Sequence, residues 1–262
     1  MDSREWGNNT EPLTKAAKEF ALKAGADIVG IAPAEKWGAP EGHNPTDIMP
    51  NARTVIVVGI RLLDWVIDHG GARARVAHHE FVIRLLERVT FDIGRWLADR
   101  GFQAYPVDEF VGFESEIGTL PQSSRSMEWF KTLEKNPDFT LFLYGEIPFV
   151  LAGFKAGLGS IGKSSLLITP QFGPRVNLGT VITNAPLESD QPIKADFCKD
   201  CLVCAKTCLG QAISKDGYDA AACWRAEFKL GENVPGVNFR PCPAVCRKNC
   251  PVGKLKTKYK LK

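Results

Sequence analysis

The first 197 residues contain no cysteine, although the chain has eight; all eight lie between Cys198 and Cys250. Disulfide frameworks spread across a small secreted chain, so this crowding excludes that class and points to metal binding. Apolar runs long enough to cross a bilayer are also missing. Spanning takes about 18 residues, and the longest stretches, such as "TVIVVGI" (54–60), have only the length of a strand. The opening "MDSREWGNNTEP" lacks the charged-then-apolar layout of a signal peptide. The expectation is a cytoplasmic protein with no membrane contact. Internal repeats and low-complexity tracts are absent, and so is an excess of one charge: 33 basic residues face 30 acidic ones. Lys254, Lys256, Lys258, Lys260 and Lys262 end the chain, leaving 28 basic against 30 acidic residues in the body. The body therefore has no basic stripe of the kind a dedicated nucleic-acid binder carries. The lysine tail reads as a solvated end, with an RNA or acidic-partner contact as the alternative.

What is present suits one large domain, or a medium one followed by a small one. "TEPLTKAAKEFALKAG" reads as a helix with Thr10 as N-cap, Pro12 in the first turn and Gly25 as the stop. "DIVGIA" and "TVIVVGI" read as buried strands. A second helix is expected over 78–100. Its apolar stripe is Val82, Leu85, Leu86, Val89, Ile93, Trp96 and Leu97, and Gly101 follows. "FQAYPV" and "FTLFLYG" look like further strands. Helices alternating with strands give a layered α/β or α+β domain over the first ~190 residues. Residues 109–138 read as a long irregular insertion, and "LESDQPIKAD" as a polar connector. The boundary falls near residue 190, dividing 1–190 from 191–262.

"AGLGSIGKSS" (156–165) fits two nucleotide patterns. Gly157, Gly162, Lys163 and Ser164 match G-x-x-x-x-G-K-[ST], and Gly157, Gly159 and Gly162 match G-x-G-x-x-G. Both need a helix opening after the glycines to receive a phosphate. Here "SLLITPQFGPRV" follows, and an interior proline breaks a helix. "SLLIT" and "RVNLGTVIT" read as strands joined by the turn "PQFGP". The glycines then mark either a tight turn before a hairpin or a backbone wall against a flat cofactor. His43, His69 and the pair His78–His79 are read as structural or solvated, because adjacent residues do not share a helix face.

"CKDCLVCAKTC" sets Cys198, Cys201, Cys204 and Cys208 in C-x2-C-x2-C-x3-C, the bacterial ferredoxin run. In that run three thiolates grip one iron–sulfur cube while the fourth turns to a second cluster. Zinc sites favour two separated C-x2-C pairs; a zinc pair is the alternative. Cys223, Cys242, Cys246 and Cys250, before Pro251, supply the second set, with spacing one residue wider than the common form. By the ferredoxin exchange rule, Cys198, Cys201, Cys204 and Cys250 hold one [4Fe-4S] cluster. Cys208, Cys223, Cys242 and Cys246 hold the other. Lys199, Lys206, Arg247 and Lys248 are either solvated or placed to raise cluster potentials.

The glycine loop with its following strands, "PNARTVIVVGIRL" (50–62) and "DQPIKADFCKDCLVCAKTC" together resemble the epoxyqueuosine reductases and corrinoid reductive dehalogenases. The likeness runs from about residue 14 to 252 and is weakest over 109–150. It implies an α+β fold: a nitroreductase-like domain that binds cobalamin, then a ferredoxin-like domain with two [4Fe-4S] clusters passing electrons to cobalt. It also implies that Gly157, Leu158, Gly159, Gly162, Ser165, Leu167 and Thr169 line the corrin. Asp108, in "YPVDEF", stands where the reductases carry a catalytic aspartate, a solvated loop aspartate being the alternative. Tyr105, Lys155 and Arg175 are of the types dehalogenases use, without a motif that places them.

Three departures bear on the substrate. The helical-repeat region of many epoxyqueuosine reductases and the export signal of dehalogenases are absent, and the insertion lies where substrate contacts are expected. The leading expectation is a cytoplasmic iron–sulfur reductase acting on a small-molecule or modified-nucleoside substrate. An external ferredoxin or flavodoxin would donate its electrons. The alternatives are an electron-transfer or reductive-activation protein for a corrinoid or other redox partner, and an iron–sulfur reductase whose upper domain binds flavin or nothing.

Overall fold

The structure is a computed structural model that describes residues 10–35, 37–107, 145–231 and 244–253. The expected strand "FTLFLYG" lies outside these residues save for its last glycine. The 109–138 insertion, Asp108, Cys242 and the lysine tail lie outside them altogether. The elements are α1 (Thr10–Ala24), β1 (Ile28–Pro33), α2 (Pro45–Ile48), β2 (Thr54–Arg61), α3 (Asp64–His69), α4 (Ala72–Ala98) and β3 (Ala104–Val107). They continue with α5 (Phe149–Lys155), β4 (Ser160–Ile161), β5 (Leu167–Ile168), β6 (Val176–Thr183), α6 (Val203–Thr207), α7 (Ala220–Gly231) and α8 (Val245–Asn249).

The fold is mixed α and β. One sheet has the order β1-β2-β6-β3, and β4 and β5 form a small hairpin. Every pairing is antiparallel, with Ile31 opposite Ile56, Val57 opposite Thr180 and Tyr105 opposite Ile182. β6 is buried along its whole length and β2 along all but its last residue. Their near-continuous apolar character follows, since both faces of the sheet are covered.

On one face Ile31, Ile56, Val58, Ile60 and Val181 meet Leu13, Ala17 and Ala21 of α1 and the inner stripe of α4. On the other, Ile28, Val55, Val57, Leu178 and Ile182 meet Trp37, Ala152, Ala156, Leu158 and Leu167. From α4, Val82, Ile83, Leu86, Val89, Ile93 and Leu97 are buried. Each contributes about 1.5–3 kcal/mol by leaving water, enough to fix the helix on the sheet.

α4 starts six residues earlier than its stripe suggests. "ARARVA" has no apolar periodicity, and those turns stay largely exposed or half-buried. Leu85, expected in the buried stripe, is 54% exposed, and Ile83 takes the inward place. The polar stretch after β6 is laced to the sheet. Asp190 donates its N–H to the Ile31 carbonyl at 2.8 Å. Its carboxylate accepts from Ile31 N at 2.8 Å and Lys18 Nζ at 2.6 Å. Glu188 N donates to Thr14 Oγ1 at 2.8 Å. No described helix is long and apolar enough to cross a membrane.

Candidate functional site

The glycine loop runs from the end of α5 into the β4–β5 hairpin. No helix follows it, so the phosphate-loop pattern has no N-terminus to offer. Its amides are spent locally: Gly162 N donates to Leu166 O and Ser165 N to Gly162 O, both at 2.9 Å. Lys163 Nζ, the would-be phosphate ligand, donates to the Lys199 carbonyl.

Each glycine of the loop lies close to the chain itself. A Cβ at Gly157 would come within 2.5 Å of the Gln191 carbonyl, and one at Gly159 within 2.4 Å of the Ile168 carbonyl. A Cβ at Gly162 would meet Ile168 Cγ1 at 2.8 Å and Cys198 Sγ at 3.2 Å. Real Cβ atoms essentially never sit under 3.0 Å from a neighbour, so side chains are excluded here by packing. The other residues named for the loop divide by exposure. Leu158, Leu167 and Thr169 are buried, whereas Ser165 is exposed, as is Ile161, which the sequence did not single out. The Thr169 hydroxyl is engaged in its own turn, donating to Gly173 O and accepting from Phe172 N, each at 3.1 Å.

The first cysteine motif begins on an aspartate-capped turn. One Asp196 oxygen accepts from Cys198 N at 2.9 Å and Lys199 N at 3.0 Å. These bonds, together with the nearby Lys163 and Lys199 charges, hold its carboxyl below the usual range. Cys201 N donates to Cys198 O at 2.6 Å. Cys204 rides on α6, and Cys208 ends it, its Sγ accepting from Ala212 N at 3.3 Å. Cys223 sits on α7, Cys246 on α8 and Cys250 immediately after α8.

α6 and α8 pack against one another. Burial pushes the Cys250 thiol up, and the charges of Cys198, Cys201 and Cys204 add to the shift. Burial likewise raises Cys204, with Cys198 and Cys201 contributing. The seven described cysteines are free of disulfides and half-buried. Among the described residues no three His, Cys, Asp or Glu side chains are drawn close enough to hold a metal ion. The four thiols thus share a field without standing at ligand distances.

Of the remaining candidates, Tyr105 donates to both Glu146 oxygens, at 2.9 and 3.0 Å. Arg175 is 1% exposed and paired with Asp64 and Asp68. Lys155 is half-buried in the last turn of α5. The histidines take structural contacts. His78 Nε2 accepts from Leu63 N at 3.1 Å, His79 meets Asn177 at 3.1 Å, and His43 Nδ1 lies 2.6 Å from Gly145 O. Burial, then Arg247, lowers the His78 pKa. Sequence reasoning missed the Asp64–Arg175–Asp68 group and the Glu146 partner of Tyr105. The only signal for the first was the i, i+4 spacing of two aspartates, which puts them on one helix face.

No protein-family model matches the chain. A tetrachloroethene reductive dehalogenase of Desulfitobacterium hafniense is 30% identical over 246 residues, covering 82% of this chain and 41% of that protein. An epoxyqueuosine reductase of Bacillus anthracis is 34% identical over 133 residues, 45% of this chain and 34% of that protein. The chain is a homologue of the reductive dehalogenases and the epoxyqueuosine reductases. It spans less than half the length of these two reductase relatives. Among solved structures, an N-terminally tagged catabolic reductive dehalogenase (NpRdhA) superposes with a TM-score of 0.63 at 20% identity. The match covers 93% of this chain and 32% of that one, and it establishes the shared fold.

The residues present fit iron–sulfur clusters by donor chemistry: half-buried thiols outside any disulfide, carried by or next to α6, α7 and α8. For a corrin, the loop offers Ile161, Ser165 and half-buried Gly157 as surface, with Leu158, Leu167 and Thr169 standing behind them.

Proposed function

We propose that the chain is a cytoplasmic iron–sulfur reductase with a cobalamin-binding, nitroreductase-like part (1–190) and a ferredoxin-like part (191–262). The observation that carries this reading is the packing of α6, which carries Cys204, against α8, which Cys250 ends, with Gly162 set against Cys198. Burial, then the neighbouring Cys198, Cys201 and Cys204 charges, raises the Cys250 thiol; these four are assigned to one cluster. The Gly162 contact sets the loop beside that cluster. Cys208, Cys223, Cys242 and Cys246 hold the second. The clusters supply one-electron carriers and the cobalamin supplies low-valent cobalt for two-electron reduction. Electrons enter from a ferredoxin or flavodoxin.

The chain's own residues bind the corrin and deliver protons. Exposed Ile161 and Ser165 would face the corrin, with buried Leu158, Leu167 and Thr169 as the apolar and hydrogen-bonded support of the loop. Asp108, directly after buried Val107, donates a proton to substrate, a role that requires burial to raise its pKa. The substrate is an organohalide or a modified nucleoside such as epoxyqueuosine. An organohalide takes two electrons and one proton to give the hydrocarbon and halide. An epoxide takes two electrons and two protons to give the alkene and water.

Anaerobic reconstitution of the full chain tests the reading. About eight irons and eight sulfides per chain are expected, with cobalamin co-eluting on gel filtration and its visible spectrum shifted. Reduction of tetrachloroethene or of an epoxyqueuosine nucleoside then selects the substrate. Retained cobalamin without turnover of either points to a reductive-activation protein. Preparations that bind neither iron nor cobalamin overturn the proposal.

A further inference from the structure

The glycine-loop hairpin and the turn that follows it touch the two ends of the cysteine region. In the turn between β4 and β5, Gly162 abuts Cys198 and Lys163 donates to the Lys199 carbonyl. Beyond β5, the turn 172–175 lies against the segment carrying Cys250. A Cβ at Gly173 would come within 2.0 Å of the Val252 carbonyl, and one at Gly253 within 1.9 Å of the Phe172 carbonyl carbon. Both glycines have positive φ, +54° and +73°, so the two backbones meet where only glycine fits on either side.

Arg175 completes this junction. Its Nη1 donates to Asp64 at 2.8 Å and to Asp68 at 3.2 Å, and its Nη2 to Asp68 at 2.7 Å. The same Nη2 donates to the Lys248 carbonyl at 3.0 Å, two residues before Cys250. Arg61 pairs with the other Asp64 oxygen, so two cations balance two carboxylates. Burial works against the Arg175 charge, but its hydrogen bonds to Asp68 and Asp64 together with their negative charges outweigh it, and its pKa moves up. A planar guanidinium can address two carboxylates and a carbonyl at once; an ammonium is a point charge without that fork.

We infer that Arg175 is a positioning residue for Cys250, holding the carbonyl of Lys248 from an anchor on α3 and so fixing the thiol in register with Cys198. The basic residue after the hairpin therefore acts on the cysteine segment through main-chain contact. The inference rests on the proposed cluster assignment only where iron is measured.

The test is residue-resolved alkylation of the full chain, without metal, at a single pH. In Arg175→Lys, Cys250 is expected to react roughly fivefold faster through local opening, while Cys208 and Cys223 keep their rates. Asp68→Asn loosens the same anchor from its more exposed side and gives a smaller, equally selective increase. It also serves if Arg175→Lys fails to fold by circular dichroism. An unchanged Cys250 rate in the folded variants overturns the inference, as does equal acceleration of all the cysteines. In reconstituted protein, iron held by the cluster containing Cys250 is lost faster to a chelator than iron of the other cluster. A selective Cys250 effect in a chain that never binds iron sinks the cluster assignment and leaves the positioning contact standing.

Discussion

The sheet and the cysteine region are held together by different physics. In the sheet, β2 and β6 lie between two apolar layers, and residues such as Val55, Ile56, Val181 and Ile182 are fully buried. In the cysteine region, α6 and α8 are five residues each and bury no side chain. Among the described residues there, the buried apolar ones are Ala212 and Ile213. Helices this short are unstable alone, and an alanine and an isoleucine are little burial to set against the entropy of ordering the described segment. The comparison teaches that the first region is held by excluding water, whereas under the proposed cluster assignment the second would be held by its thiol ligands.

The sharpest way to break that comparison is to strip the metal. Chelation of reconstituted protein should remove amide-exchange protection across 196–253 while β1, β2 and β6 keep theirs, because binding energy at such sites is folding energy. Equal protection before and after chelation would show that both regions fold by burial alone. The converse experiment is Ile93→Ala, which empties a site in the fully buried layer and should cost about 2–5 kcal/mol of sheet stability. Denaturant titration checks this, with iron content per folded chain unchanged. At the junction, Gly162→Ala presses on Ile168 and Cys198 together. Overpacking of this kind costs about 1–3 kcal/mol and should lower both thermal stability and iron retention, the one change felt on both sides.

Protonation should produce the smallest effects. The raised Cys204 and Cys250 thiols favour the metal-free fold while protonated. Their contribution is complete below the ordinary thiol value of 9.0 and is lost as pH rises through their folded values. Melting of the metal-free protein should therefore fall on the alkaline side, within the cysteine region. Asp196 has the opposite sign: its contribution is present above 3.8 and disappears as pH falls through its lowered folded value. Asp196→Asn should flatten that acid limb.

Much of the sheet layer was legible in the sequence because its signals are local. α1 stops before Gly25, although Thr10, expected as its N-cap, is its first helical residue and donates its hydroxyl to Glu188 Oε1 at 2.7 Å. β2 and β6 are largely apolar and rich in β-branched residues, and Pro170 alone removes the helix a phosphate loop requires. α5 was not legible, since "FVLAGFK" is a short apolar run that periodicity cannot assign. The first turns of α4 carry no apolar stripe. At the site, the cysteine spacing announced the donors, but the contacts that join the two regions are long-range. Arg175 and Asp64 are 111 residues apart, and nothing near either residue predicts the other. The packing of Gly162 on Cys198 belongs to the same class, so the glycines read as a motif until their neighbours were seen.

The antiparallel pairing of β2 with β6 also sets an order of events during synthesis. β1 and β2 are close in the chain, but β2 finds its other neighbour only at Val176–Thr183. Closing so long a loop delays the centre of the sheet. At about 5–20 residues per second, the chain spends several seconds with one edge of β2 unpaired. Cys198 is made about one to three seconds after β6. The thiols therefore emerge onto a scaffold that has only just become able to close.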